Sequence, residues 1–306
     1  MSAITEGAAA LAESFAEFGS AVAAVDEGIQ GQVTTLSNTV SNIALVRGLF
    51  NALVVTSTGS NAAVSVTALE MTLKDGNGHV VVISNVNLSA NTKPAGQAGT
   101  GAGSLDTGNF ASNTWYALYV AYSSTLAEAT AILSLNSTAP ALPSGYTFYT
   151  RVAWVRTDGT ANAYPLSFTQ KGAQARYDVR PGSNVPALPI IASGAAGDCT
   201  IPTWVGLPWA AFAPPTTTDL RLLTGSNGGS CTVMVAPNAN FGAWNSTTNL
   251  PPIMHSNVGS YLFTDDDVTV ESPDVYWASN AGAQPPTPGT AGNYGIVAVM
   301  GWTDNI

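Results

Sequence analysis

Few residue types capable of chemistry occur in this chain. His79 and His255 are its only histidines, too few for a histidine metal cluster unless several copies meet on a symmetry axis. His79 directly follows a turn and is expected at the surface; His255, between Met254 and Ser256, is expected in a loop. No serine sits in a G-x-S-x-G elbow. The densest acidic stretch is Asp265-Asp266-Asp267, with Glu271 and Asp274 nearby. Hard oxygen ligands of this kind suit Ca²⁺, but the spacing is not that of an EF-hand, and a solvated acidic turn between strands is the commoner arrangement. Glycoside hydrolysis needs two carboxylates flanking a groove, and no motif selects a pair. Cys199 and Cys231 form either one bridge or two buried thiols. The expectation is no catalytic residue, no metal and no cofactor: a protein that is not an enzyme.

Binding is the better prospect. Trp204, Trp209, Phe212, Trp244, Tyr261, Tyr276 and Trp277 concentrate in the C-terminal region. Aromatic faces beside Asn, Ser and Asp hold sugars or a protein surface. Most of these rings are expected in the core. Trp209 and Trp244, set among Pro, Gly and Asn, are the expected exposed, ligand-binding ones. The glycine-rich run Lys93 to Gly108 lacks the Gly-Lys-Ser/Thr of a phosphate loop and does not run from strand to helix, so it is expected to be a flexible loop.

These residues must be positioned by elements that the composition constrains. Charged residues are 9% of the chain, against roughly 25% in an average soluble protein. Gly, Ser, Thr and Asn are plentiful and no apolar run reaches about 18 residues, so no membrane insertion is expected. Nine basic against nineteen acidic residues give a net charge of -10, which argues against a nucleic-acid partner. The amino terminus lacks the basic start and apolar core of a secretory signal, so an extracellular role implies another exit, such as lysis.

Residues 1–50 read as a helical coiled-coil and attachment segment. Ile4, Ala8, Leu11, Phe15, Phe18, Val22, Val25 and Ile29 recur at steps of four and three, the narrow stripe of a coiled-coil seam. The rhythm slips by one residue after Ile29 and resumes as Val33, Leu36, Val40, Ile43 and Phe50. Gly19, Gly28 and Gly31 each weaken a helix by about 1 kcal/mol relative to Ala, so the stripe must be buried against something, and a break is expected near Gly28–Gly31. Every helical charge before Arg47 is acidic (Glu6, Glu13, Glu17, Asp26, Glu27). Identical helices would therefore be held by the apolar seam alone, and the bulk of Phe15 and Phe18 favours three strands over two.

From residue 51 the period changes to two. Val64 and Val66 alternate with polar neighbours, then Leu69, Met71 and Leu73 do so in the opposite phase, which suggests a bulge at Ala68–Leu69. Asp75-Gly76-Asn77-Gly78 is a tight turn leading to a return strand at His79–Ile83. Trp115 to Tyr122 reads as a strand buried on both faces. Tyr146 to Arg156 alternates with Tyr146, Phe148, Val152 and Trp154 on one face, and Thr157 to Thr160 turns the chain toward Tyr164, Leu166 and Phe168 in a second hairpin. Gln170 to Pro189 reads as a linker. Beyond it, Asp219–Leu223 and Cys231–Val235 are expected to flank a long hairpin loop. Tyr294 to Trp302 is expected to close the fold with Tyr294, Ile296, Ala298, Met300 and Trp302 on one face.

Five short motifs then occur in order: Leu105-Asp106-Thr107-Gly108, Asn113-Thr114-Trp115-Tyr116, Leu133-Ser134-Leu135, Leu142-Pro143-Ser144-Gly145-Tyr146 and Arg151 to Asp158. Over about residues 60 to 170 this run resembles a structural β module of bacteriophage tail-fibre and other virion fibre proteins. The resemblance implies a homotrimeric virion component with an N-terminal attachment end, other phage structural proteins (tail, baseplate or capsid) as partners, and a distal domain. It does not reach the C-terminal region.

The overall expectation is a mainly β chain: a coiled-coil stalk, a fibre-like β domain over 51–172, and a distal β domain over 190–306, the two β domains being sandwiches or jelly rolls. The C-terminal domain would contact a host cell-surface polysaccharide or protein. The alternatives are a capsid or collar fibre and, from a different class, a polysaccharide depolymerase; the latter usually carries a long repetitive β-helix that this chain lacks.

Overall fold

A computed structural model describes residues 2–43, 49–227, 230–258, 261–282 and 294–306. The chain is mainly β, with two antiparallel sheets and one N-terminal helix.

Helix α1 (Ser2–Ile43) has 42 residues and is about 63 Å long at 1.5 Å per residue. It runs through Gly19, Gly28 and Gly31 without the expected break, because the glycines are dispersed among good helix formers. Leu11, Phe15, Phe18, Val22, Val25, Ile29 and Val33 are 51–69% exposed along it. The side chains of Ile4, Ala8, Leu36, Val40 and Ile43 lie outside the described ones. Phe50 is not part of the stripe; it begins a strand and packs on the first β core. No described helix is long and apolar enough to cross a membrane.

The first β region comprises β1 (Phe50–Asn51), β2 (Val54–Ser57), β3 (Ala63–Lys74), β4 (Val80–Asn91), β5 (Trp115–Ser123), β6 (Glu128–Ser134), β7 (Phe148–Arg156) and β8 (Phe168–Lys171). The β3–β4 hairpin closes through Asp75, whose Oδ1 accepts the backbone N–H groups of Asn77 and His79 at 2.9 and 2.8 Å, and Gly78 supplies the positive φ of 92° that the turn requires. The parity of β3 does switch, but not by a bulge. Ala68 pairs Val86 and Glu70 pairs Ser84 with no change of register. Leu69 and Glu70 face outward opposite Asn85 and Ser84, and Asn85 takes a φ of 54°, which asparagine tolerates. Both strands change phase together, so no extra residue is needed.

β5 is buried on both faces. Tyr116, Leu118 and Val120 join the first core, while Ala117 and Tyr119 pack with Trp154 on the other side. In β7 an extra residue at Val152 opposes the Leu118–Tyr119 step. That bulge sends Val152 to the first core and Trp154 to the opposite face, against the single face that simple alternation gives. β7 and β3 meet at one pair, Lys74 and Tyr149, and the inward residues of β2–β4 and β5–β7 share one core. The second hairpin reduces to a bridge between Thr157 and Pro165; β8 pairs β2 instead.

Residues 170–189 are not simply a linker. β9 (Gln174–Tyr177) forms a hairpin with β8, and buried Gln170, Ala175 and Tyr177 alternate with exposed Lys171, Gln174 and Arg176. Apart from Gly172 in the β8–β9 turn, the Pro and Gly punctuation begins at Pro181. The remaining strands are β10 (Ile190–Ser193), β11 (Val205–Pro208), β12 (Thr217–Asn227), β13 (Ser230–Ala236), β14 (Ile253–Val258), β15 (Tyr261–Thr269), β16 (Asp274–Ser279) and β17 (Tyr294–Asp304). One sheet of thirteen strands runs in the order β15-β12-β17-β9-β8-β2-β3-β7-β5-β6, with β1 and β4 on β3 and β10 on β17. A four-stranded sheet, β11-β16-β13-β14, shares a second core with β12 and β17 through Val233, Val235, Val275, Leu220, Leu222 and Val297.

Thr224–Asn227 are strand, not hairpin loop, and β12 and β13 belong to different sheets; residues 228–229 lie outside the described ones. In β17 the register shifts opposite Arg221–Leu222, leaving Met300 as the extra residue. Val297 and Val299 therefore pack in the second core, and of the expected set Trp302 joins them past the extra residue. β17 lies between β12 and β9 and is buried on both faces, so its periodicity could not choose.

Candidate binding surfaces

The two cores meet at an aromatic junction. Trp302 lies 5.4 Å from Trp115, 5.4 Å from Tyr177 and 6.3 Å from Phe168, centroid to centroid. The buried Tyr177 hydroxyl donates to Phe212 O at 2.7 Å, and burial pushes it well above the usual phenol range. Beside this junction Arg151, on β7, donates to Asp304 Oδ2 at 2.6 Å and to Thr216 Oγ1 at 3.2 Å, and also reaches Asn305 O. The Thr216 hydroxyl donates to the other carboxylate oxygen. The Arg151 and Asp304 side chains are 12% and 0% exposed. Burial pushes the Asp304 carboxyl up, while Arg151 and Thr216 oppose that.

Against this joint lies a groove of about 520 Å³. Trp115, Trp154 and Leu135 line it from the first region; Trp209, Ala210, Ala213, Pro215 and Pro273 line it from the second. All three indole N–H groups are spent inside the protein: Trp115 on Ala210 O at 2.9 Å, Trp154 on Thr216 Oγ1 at 2.7 Å, and Trp209 on Ser272 O at 2.8 Å. The rings are fixed in place and offer carbon surface, so the groove suits a flat apolar face rather than a dense set of hydroxyls.

The two tryptophans expected to be exposed behave differently. Trp209 is buried at 8% exposure and forms part of the groove wall, because the Pro- and Ala-rich loop that carries it folds over the aromatic junction. Trp244 is 39% exposed and lies outside that groove. The two do not share one groove. Nothing in the local sequence marks Trp115, Trp154 or Leu135 as ligand contacts; Leu135 stands 59% exposed just after β6.

Asp265–Asp267 lie in the middle of β15, not in a turn. Strand alternation turns Asp265 and Asp267 toward Arg221, which bonds Asp265 and holds its carboxyl below the usual range. Asp266 points the other way. Among the described residues no group of three or more His, Cys, Asp or Glu gathers to hold a metal.

His255 sits in β14, not in a loop, and is buried. Its Nε2 lies 2.8 Å from Thr264 Oγ1 and 3.0 Å from Thr224 Oγ1. The Thr264 hydroxyl donates to Asp266 Oδ2 at 2.7 Å, so it can only accept from His255, which makes Nε2 a donor. A histidine donating to a hydroxyl is the reverse of a base activating a nucleophile. Burial lowers the His255 pKa, opposed by Asp266. His79 is exposed and pairs with Asp75 at 2.7 Å.

Cys199 and Cys231 are both buried and are not joined by a disulfide; Cys199 Sγ faces Thr232 O at 3.6 Å. Burial pushes the Cys199 thiol up to about 11 and raises Cys231 as well.

The Lys93–Gly108 run is a built loop, not a flexible one. Gly96 N–H donates to Phe110 O, Gly99 N–H to Gly108 O and Gly103 N–H to Ala131 O. A Cβ on Gly99 would stand 2.1 Å from Leu105 O. The five motifs are tied together in the same way: Asp106 N–H donates to Leu133 O, Asp106 Oδ2 accepts from the N–H of Ala141 just before the fourth motif, and Thr157 N–H donates to Thr114 O. They act as scaffold.

Compared with known protein families and with characterised proteins, the chain matches none.

Proposed function

We propose that this chain is a structural virion protein: a homotrimeric phage tail fibre or receptor-binding protein. Its N-terminal helix bundles three copies and attaches them to other phage structural proteins. Its C-terminal β region, a sandwich presented away from the particle, contacts a host cell-surface polysaccharide or protein.

The observation that carries this reading is the exposed stripe on α1. Seven apolar side chains from Leu11 to Val33 are 51–69% exposed. Fully burying such a side chain is worth ~1.5–3 kcal/mol; with half or more of each still exposed, about 1 kcal/mol per residue, or ~7 kcal/mol per chain, is left to gain. That rivals the whole stability of an ordinary domain, about 5–15 kcal/mol. Up to Ile29 the stripe keeps the alternating steps of four and three that a left-handed supercoil buries. The low charge, the β-rich body and the motif resemblance over 60–170 point to the same class. The tryptophan groove and the exposed Trp244 are the surfaces offered to a receptor.

Immunogold labelling of intact particles from the producing phage tests the assignment. Gold at the tail supports a tail fibre, and gold on the head or collar supports the capsid-fibre alternative. Particles that carry the protein nowhere on their surface would refute the class.

A further inference from the structure

A second apolar patch sits at the foot of the helix. Thr72 N–H donates to Leu49 O at 3.0 Å, and Thr72 pairs Val82 across β3–β4. Leu49, Thr72 and Val82 thus form one row over three neighbouring chain segments. Phe50 turns inward onto the first core, so strand alternation turns Leu49 outward. Leu49 and Val82 are each 59% exposed and flank Thr72, which is 9% exposed. Further along β3, where the phase changes, Leu69 is 56% exposed. Inward-pointing apolar residues fill the core of this region; these three are aimed the other way.

The place of the patch identifies what covers it. Ile43 ends α1 and Leu49 begins the row, six residues later. Six residues reach at most about 20 Å, so whatever gathers the helices gathers these patches at the same end. On the same face of β3, Glu70 and Lys74 bring one charge of each sign, which copies of one chain can match against one another.

We propose that the Leu49–Thr72–Val82 row, with Leu69, is a second self-contact: at the foot of the helical bundle, the outer face of β1–β3–β4 packs against the neighbouring copy. This rests on the homotrimeric reading of α1 and extends it into the β region. It makes the first β region part of the assembly rather than a passive body hung from a stalk.

The test uses the full chain. Val82→Cys places a thiol on the exposed face, and because Cys199 and Cys231 are buried, a short bismaleimide should join only the new thiols. Covalent dimers and trimers are expected on a denaturing gel. Val82→Glu should raise the concentration at which the assembly half-dissociates about tenfold, the equivalent of ~1.4 kcal/mol, with unchanged circular dichroism. A wild-type chain that sediments as three copies, while Val82→Cys stays uncross-linked and Val82→Glu leaves the midpoint unmoved, overturns the second contact and leaves the helical seam standing. A wild-type monomer overturns both.

Discussion

Replacing Arg151 with alanine tests how the two β regions are joined. Arg151 comes from β7; its partner Thr216 immediately precedes β12, and its partners Asp304 and Asn305 come from the end of the chain. Removing one partner of a buried ion pair typically costs about 3–5 kcal/mol, because the other charge is left without compensation. Exposures of 12% and 0% leave little room for solvent screening. Asp304 keeps its bond from Thr216, which softens the loss. The guanidinium also stacks 5.5 Å from the Trp154 ring centroid, worth about 0.5–1 kcal/mol. The expected loss is ~3–4 kcal/mol at pH 7, a fall in Tm of about 5–10 °C for a chain of this size.

The pH dependence of that loss has a definite sign. Without Arg151, burial raises the Asp304 pKa further above its unfolded value. Between the two values the native state binds more protons than the unfolded state, so stability rises as pH falls through this window. The deficit of Arg151→Ala against wild type should therefore shrink from pH 7 to pH 4. Urea melts at both values measure it, and adding Asp304→Asn to Arg151→Ala should recover at least half of the loss. A deficit below about 1 kcal/mol at pH 7, or one equal at both pH values, would refute the buried joint.

Three further expectations follow from the same geometry. Gly301→Ala puts a Cβ 2.1 Å from Ala175 O and should loosen the β9–β17 pairing at a cost of about 1–3 kcal/mol; an unchanged denaturation midpoint would contradict it. Cys199 and Cys231 should resist a thiol reagent at pH 8 in the folded protein and both react in urea, since burial raises both pKa values; rapid labelling of the native protein counts against their burial. Because burial lowers the His255 pKa, the unfolded state takes up its proton first as pH drops below 6.5. Native stability should decline over that interval, and His255→Asn should remove the decline in paired melts.

Local pattern revealed the elements whose environment is uniform along their length. The four-and-three spacing of α1, the Asp75–Gly78 turn and the apolar run of β5 each follow from a single period or a single turn chemistry. Elements decided by distant partners were not legible. Asp265–Asp267 read as a turn because three carboxylates rarely share a strand; Arg221 on β12 makes the strand tolerable for two of them, and it lies more than forty residues away. Residues 174–177 read as linker because their strand is only four residues long and pairs with the end of the chain. Trp209 read as exposed because its neighbours are loop formers, whereas its burial comes from the junction its loop covers. The groove itself draws on residues from Trp115 to Pro273, a separation that no local window spans. The Val152 and Met300 bulges illustrate the same limit: each shifts a strand's phase by one residue only because of the partner it faces.

The central claim is that α1 is a self-association seam. The most direct measurement is the solution mass of the purified full chain by sedimentation equilibrium at micromolar concentration. The account predicts three times the 31.2 kDa chain mass. A particle of 31.2 kDa, with the stripe from Leu11 to Val33 left in water, would contradict it.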